Sequence, residues 1–267
     1  MHNCPMCTED VPIIRDSHFI PHHVYRRSRK MLSEGKTLNY ADSKNDTYIL
    51  SKELKKYLLC PDCEYKLKIN GEDYFAEKCL SPVNKPDVAE LLKIAKSKLI
   101  PIWNAGGRLA PQISIGPGFA SEIEMNDLYY FAISIFWRGT FEWGSNYKPI
   151  EINEHTKEEM RLYLFDKEKN PLNYRVDIVP AFWTPRFSVI FPTRKKGKDN
   201  FLFSIFSFDF HIDLTRPVTR FSNHTPVALL ASPSLDVKMH NAFARKHEAA
   251  VERGKIDKNI TWLRKEN

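Results

Sequence analysis

Two C-x-x-C pairs constrain what this chain can fold into more than any other feature. Cys4-Pro5-Met6-Cys7 and Cys60-Pro61-Asp62-Cys63 use four of its five cysteines. Each pair folds a tight knuckle that turns both sulfurs to one side, so together they offer four thiolates to a tetrahedral Zn²⁺. Five cysteines are too few for a disulfide scaffold in a chain of 267 residues. A redox C-x-x-C is the other use of such a pair, but no thioredoxin-like βαβ pattern surrounds either one. With four protein thiolates as ligands the ion is structural, because no coordination position stays open for water or substrate. Cys79 is left over as an ordinary semi-buried cysteine. Residues 8 to 59 lie between the pairs, more than a compact zinc ribbon holds, so further structure is built there.

The charge distribution suggests a polyanionic partner. The formal net charge is +7, a modest excess that many enzymes of small acidic metabolites share, so its placement matters more. Arg26, Arg27, Arg29, Lys30 and Lys36 stand against only Glu34. A second group, Arg194, Lys195, Lys196 and Lys198, flanks Gly197 at the tip of an expected hairpin. No run approaches the roughly 18 apolar residues of a membrane span. The N-terminus lacks the basic and apolar regions of a signal peptide. A cytoplasmic protein with no membrane association is expected.

The pattern predicts an α+β chain of two parts: a small metal module over residues 1–82, and a larger helical plus antiparallel-β domain over 83–267. Ser81-Pro82-Val83-Asn84-Lys85-Pro86 reads as the linker, since two prolines resist helix and strand alike. Asp87 caps an expected helix carrying Leu91, Leu92, Ala95 and Leu99 on one face. A second helix, from about Asn126 to Gly139, is apolar nearly all round and is expected at the centre of the core. A third runs from an N-cap at Thr156 to Phe165. Strands follow over Tyr174–Val179, Phe187–Phe191 and Phe201–Asp213, and the last of these sets a Phe stripe against polar Ser207, Asp209, His211 and Asp213. His211 is expected at the surface. A helix over Leu235–Arg253 ends the pattern.

Between the cysteine pairs stands Ser17-His18-Phe19-Ile20-Pro21, and the second pair reads Leu59-Cys60-Pro61-Asp62-Cys63-Glu64. With the first knuckle, these pieces resemble the zinc-containing members of the HNH (His-Me finger) endonuclease superfamily. Those members carry C-x-x-C, an acidic residue or His before the catalytic His, Pro three residues on, and Leu-Cys-x-x-Cys followed by Asn or His. The match covers about the first 80 residues. It implies a zinc-stabilised ββα, treble-clef module, with His18 as the base that activates water and Glu64 as ligand of a catalytic Mg²⁺ or Mn²⁺. By the same resemblance the chain hydrolyses phosphodiester bonds in DNA, with restriction or anti-phage defence as its setting. The sequence departs from the pattern twice. Ser17 stands where Asp or His is usual, and Lys55, Lys56 and Tyr57 occupy the stretch where an Asn orients the base.

Other residues are weighed beside these. His22 and His23 offer ring nitrogens to a metal or phosphate. Glu72 lies two turns beyond Glu64, although Asn70-Gly71 argues against one continuous helix. Arg26, Arg27, Arg29 and Lys30 follow the His18 hairpin and suit phosphate contacts. Trp137-Arg138 reads as packing plus a favourable charge at a helix C-terminus. The alternatives to a nuclease are a zinc-stabilised nucleic-acid-binding module without catalysis, or a subunit making protein contacts in a larger complex or oligomer.

Overall fold

The computed structural model describes residues 1–31, 38–41, 47–50, 52–81, 89–97, 102–103, 109–110, 113–115, 121–145, 147–182, 186, 188–195, 199–217, 227–231 and 233–254. The architecture is mixed α+β. The N-terminal part holds strands β1 (His2–Asn3), β2 (Asp10–Val11) and β3 (Asp16–His18), helix α1 (His22–Met31), and strands β4 (Leu38–Ala41), β5 (Thr47–Leu50) and β6 (Lys55–Tyr57). Helices α2 (Pro61–Leu67), α3 (Asp73–Lys78) and α4 (Glu90–Ser97) follow, then strands β7 (Ile102–Trp103), β8 (Leu109–Ala110) and β9 (Ile113–Ile115). The remainder comprises α5 (Met125–Arg138), α6 (Glu154–Phe165), β10 (Tyr174–Pro180), β11 (Val189–Arg194), β12 (Asn200–Ile205), β13 (Phe208–Pro217), β14 (Val227–Ala231) and α7 (Pro233–Glu252).

One 8-stranded sheet, in the order β5-β4-β11-β12-β13-β10-β14-β9, dominates. Its neighbours are antiparallel except β4 with β11 and β10 with β14. Strands β4 and β5 come from between the cysteine pairs, so the sheet draws on both sides of residue 82. Residues 82–88, which include most of the expected linker and the Asp87 cap, lie outside the described residues, as do Leu99 and the Lys196–Lys198 tip. Among the described residues no helix is long and apolar enough to cross a membrane.

Helix α5 is the central helix its composition predicts: every residue from Leu128 to Arg138 is buried. Phe131 on it stacks on Phe75 of α3 with ring centres 4.0 Å apart. Phe19, immediately after β3, stacks on Trp143 at 4.9 Å and on Phe191 of β11 at 4.8 Å, and meets Tyr147 edge-on. The buried cluster therefore runs without a break from Cys4 to the sheet.

Several expectations are corrected. Asn70-Gly71 does not end a helix: α2 continues into α3 through a π-helical turn at Lys68–Glu72. The glycine serves close approach. A Cβ on Gly71 would stand 2.8 Å from the backbone nitrogen of Phe131 and 3.0 Å from the carbonyl oxygen of Asp127, so only Gly lets the two helices touch here. The span Phe201–Asp213 is a hairpin rather than one strand. It turns at Phe206-Ser207, with Phe206 at φ 52°; strict alternation carries no mark of a two-residue turn. Asn153, not Thr156, caps α6, its side chain accepting from the Thr156 N–H at 2.8 Å. His211 is not at the surface. The polar side of the hairpin is covered too, because α7 sets Phe243 over Arg186, which pairs with wholly buried Asp209 at 2.7 Å. Lys195 lies against the His211 ring, and burial, with Lys195 and Arg186, pushes the His211 pKa down to about 3.

The Gly71 contact gives a direct test. Gly71→Ala should lower the unfolding free energy by about 1–3 kcal/mol, the usual cost of forcing atoms into a filled contact. Thermal unfolding checks this, and an unchanged midpoint would show that α5 can move aside.

Candidate metal centre and the basic helix beside it

Pro5 and Pro61 stiffen the two knuckles, and Pro61 opens α2, where its missing N–H costs nothing. The backbone N–H of Cys60 donates to Cys4 Sγ at 3.4 Å, and Cys7 Sγ lies 3.9 Å from Cys60 Sγ. All four sulfurs lie within 4.8 Å of one another, a group that could hold a metal ion. A tetrahedron with 2.3 Å metal–sulfur arms has edges of roughly 3.8 Å, so the sulfurs need little movement to close on an ion. The Cys63 thiol and several backbone N–H groups hold the Cys4 pKa down to about 4, and Cys4 in turn raises that of Cys63. Buried Cys79 stands apart from the group.

Strand β3 pairs antiparallel with β6, Ser17 opposite Lys56 and His18 opposite Lys55. Alternation along β3 sends Ser17 inward, 2% exposed, while His18 stays partly open. His18 Nε2 lies 2.8 Å from Glu53 Oε2. Arg29 donates to Glu53 Oε1 at 2.7 Å, His22 Nδ1 lies 3.4 Å from the carboxylate, and Lys55 Nζ is also 3.4 Å away. His22 and Arg29 are two turns apart on α1, which places both on the face that meets Glu53. Val24, Tyr25 and Ser28 form the buried face. The Leu54 N–H donates to the Tyr25 hydroxyl at 3.2 Å, which fixes the backbone beside Glu53. Burial takes the His18 pKa below the usual imidazole value, against Glu53 and with help from Lys55. Burial alone would raise Glu53, but His18, His22 and Lys55 outweigh it and hold the carboxyl below its usual range.

The structure therefore joins His18 and His22 to a residue that sequence reasoning missed. Glu53 is the one acid between Asp46 and Asp62 in a lysine-rich stretch. Only that isolation marks it.

Glu64 is elsewhere. It lies half-buried on α2, where burial raises its pKa against the opposing effects of the Ser17 hydroxyl and the Arg138 cation. Arg138, 2% exposed, donates through Nη2 to Glu72 Oε1 at 2.5 Å and through Nη1 to the His18 carbonyl at 2.9 Å. Its role exceeds the packing and helix-end charge expected for it. Ser17 Oγ accepts from the Leu59 N–H at 3.2 Å and donates to the Arg15 carbonyl at 3.4 Å. The expected residues thus separate: His18 and His22 join Glu53 in an outer group, while Ser17, Glu64 and Glu72 lie with Arg138 in an inner one.

The remaining residues lie on the other side of α1. His23, Arg26, Arg27 and Lys30 line a cavity of about 260 Å³ together with Ala76, Glu77 and Leu80. Arg26, Arg29 and Lys30 are exposed, whereas Arg27 Nη1 is buried with no hydrogen-bond partner among the described residues.

Two outcomes follow from this arrangement. Metal analysis of the folded protein should find about one ion bound by thiolates per chain, and Cys60→Ser should lose both that ion and the N-terminal fold, because binding and folding are coupled in such clusters. A folded protein without bound metal would contradict this. Arg138→Met should cost about 2–4 kcal/mol, as it leaves the partly buried Glu72 and Glu64 without a cation. Denaturant unfolding measures the loss, and a change below 1 kcal/mol would show that water replaces the guanidinium.

No family model, no curated protein and no solved structure matches this chain.

Proposed function

We propose that the chain is a zinc-stabilised, divalent-metal-dependent phosphodiesterase that cuts nucleic acid, with DNA as the first substrate class to test. The hydrogen bond of 2.8 Å between His18 and Glu53 carries this reading. A half-open imidazole held by a carboxylate is the arrangement that generates hydroxide from water beside an electrophile. Two further features support it. Strand β6, paired with the His18 strand β3, leads into α2 through the second cysteine knuckle, which supports the reading. Helix α1 carries His22 beside Glu53 on one face and the exposed cations Arg26 and Lys30 on another, which suits contacts to phosphates farther along a bound strand.

A binding module without catalysis is the second reading. The enclosure of Glu64 with Arg138 favours it, since the carboxylate expected to hold Mg²⁺ or Mn²⁺ already faces a resident cation.

Cleavage separates the two. Purified protein should nick plasmid DNA in the presence of Mg²⁺, Mn²⁺ or Zn²⁺, with RNA as the parallel substrate. His18→Ala should slow cleavage by about 10²- to 10⁴-fold while thiolate-bound metal is retained, and Glu53→Gln should slow it as well. Replacing Arg26, Arg27 and Lys30 with Ala should weaken binding to all sequences and flatten its salt dependence by about one unit of slope per lost contact. Full activity in His18→Ala would sink the enzyme reading, and so would failure of the wild type to cut either nucleic acid with any of these ions.

A further inference from the structure

We infer that His18, His22 and Glu53 form a second metal site, distinct from the cysteine cluster, that takes one divalent transition ion such as Zn²⁺, Co²⁺ or Mn²⁺. The ring nitrogens of the two histidines and a Glu53 oxygen all lie within 4.8 Å of one another. A tetrahedral ion with ligand bonds of about 2.0–2.1 Å has ligand–ligand edges of roughly 3.4 Å. The His22–Glu53 distance is already 3.4 Å, and the His18–Glu53 hydrogen bond of 2.8 Å opens by about half an ångström when an ion replaces its proton. Two imidazoles and a carboxylate suit borderline transition ions better than Mg²⁺, which prefers an all-oxygen shell.

The surroundings fit a site of this kind. Three protein ligands leave a position open, as in catalytic rather than structural sites. His22 is exposed, so that position faces solvent and an incoming phosphate oxygen. Glu53 uses Oε2 toward His18 while Oε1 accepts from Arg29 at 2.7 Å, so Arg29 orients the ligand carboxylate from outside the coordination shell. Lys55 Nζ lies 3.4 Å from the same Oε2 and occupies the place of a competing cation. At the inner group the charge is already supplied, because Arg138 serves Glu72 and faces Glu64. The outer trio is therefore where an added ion finds two ring nitrogens beside a carboxylate. With an ion bound His18 is its ligand, and the ion rather than the free imidazole would activate water; in that form the site deepens the phosphodiesterase reading and rests on it, but ion binding itself does not.

The test uses the full-length protein with its cysteine cluster already loaded, titrated with Co²⁺ and with Zn²⁺. Wild type should take up one further equivalent. Co²⁺ in this site should show visible d–d absorption without the thiolate charge-transfer band that marks the cysteine cluster. His22→Ala and Glu53→Gln should lose that equivalent and keep the thiolate-bound ion. Arg29→Ala should weaken uptake about 10- to 100-fold, whereas Lys55→Met should tighten it by removing the competing charge. No second equivalent in wild type overturns the site, and so does uptake unchanged in both His22→Ala and Glu53→Gln. The two proposals fail separately. Ion uptake without cleavage removes the phosphodiesterase and keeps the site; cleavage that is insensitive to His22→Ala and needs only Mg²⁺ removes the site and keeps the enzyme.

Discussion

The guanidinium of Arg138 is the contact on which the rest of the arrangement turns. It sits at the last residue of the most deeply buried helix and reaches the carbonyl of His18, 120 residues earlier in sequence. Its other arm holds Glu72 just before α3. One side chain thus ties the strand that carries His18, the helix that carries the second cysteine knuckle, and the centre of the core. A charge so enclosed is tolerated only when every arm finds an acceptor. Here the arms find Ser134, His18 and Glu72. The Trp143 indole then donates to the carbonyl of Arg138 at 2.7 Å, which brings Trp143 up against Phe19.

The cysteine cluster and the aromatic packing both hold the N-terminal strands in place. The short strands β1, β2, β3 and β6 bury little apolar surface themselves, and segments so small usually need a metal or a larger neighbour to hold them. This segment has the means for both. The sulfurs stand close enough for an ion, and Phe19 fills a slot between Trp143 and Phe191. With β3 paired to β6, the His18 carbonyl held by Arg138 and Phe19 packed in the core, His18 can remain partly open without the strand being loose. That combination of a rigid backbone and an accessible side chain is what a reactive or metal-binding histidine requires.

Charge divides the neighbourhood of β3 into two compartments. In one, Arg138 pairs with Glu72 and its charge also acts on Glu64. In the other, Glu53 gathers two imidazoles, His18 and His22, and two cations, Arg29 and Lys55, with Asp16 3.9 Å from Lys55. These groups keep Glu53 ionised against its burial. In the proposed reading a nucleic-acid phosphate meets Arg29 and Lys55 beside His18, and the exposed Arg26 and Lys30 meet phosphates farther along the strand.

Some of this was legible in the residues and some was not, and sequence distance explains the difference. The C-x-x-C pairs announced a four-sulfur cluster because each knuckle is a local turn whose geometry four residues determine. Helix α5 was legible because an all-round apolar segment has nowhere to go but the interior. Gly71 was misread because its purpose, room for the backbone of Phe131, exists only once α5 has docked. The chain alone thus determined the sulfur ligands, the central helix and the cluster of cations after Pro21, all set by spacings of a few residues; that the cluster lies on helix α1 was not read from it. Only the tertiary structure decided that Glu53, rather than Glu64, meets His18, and that Arg138 meets Glu72. Those partners lie 35 and 66 residues apart, and side chains that far apart are brought together by packing of the whole core, which no local pattern encodes.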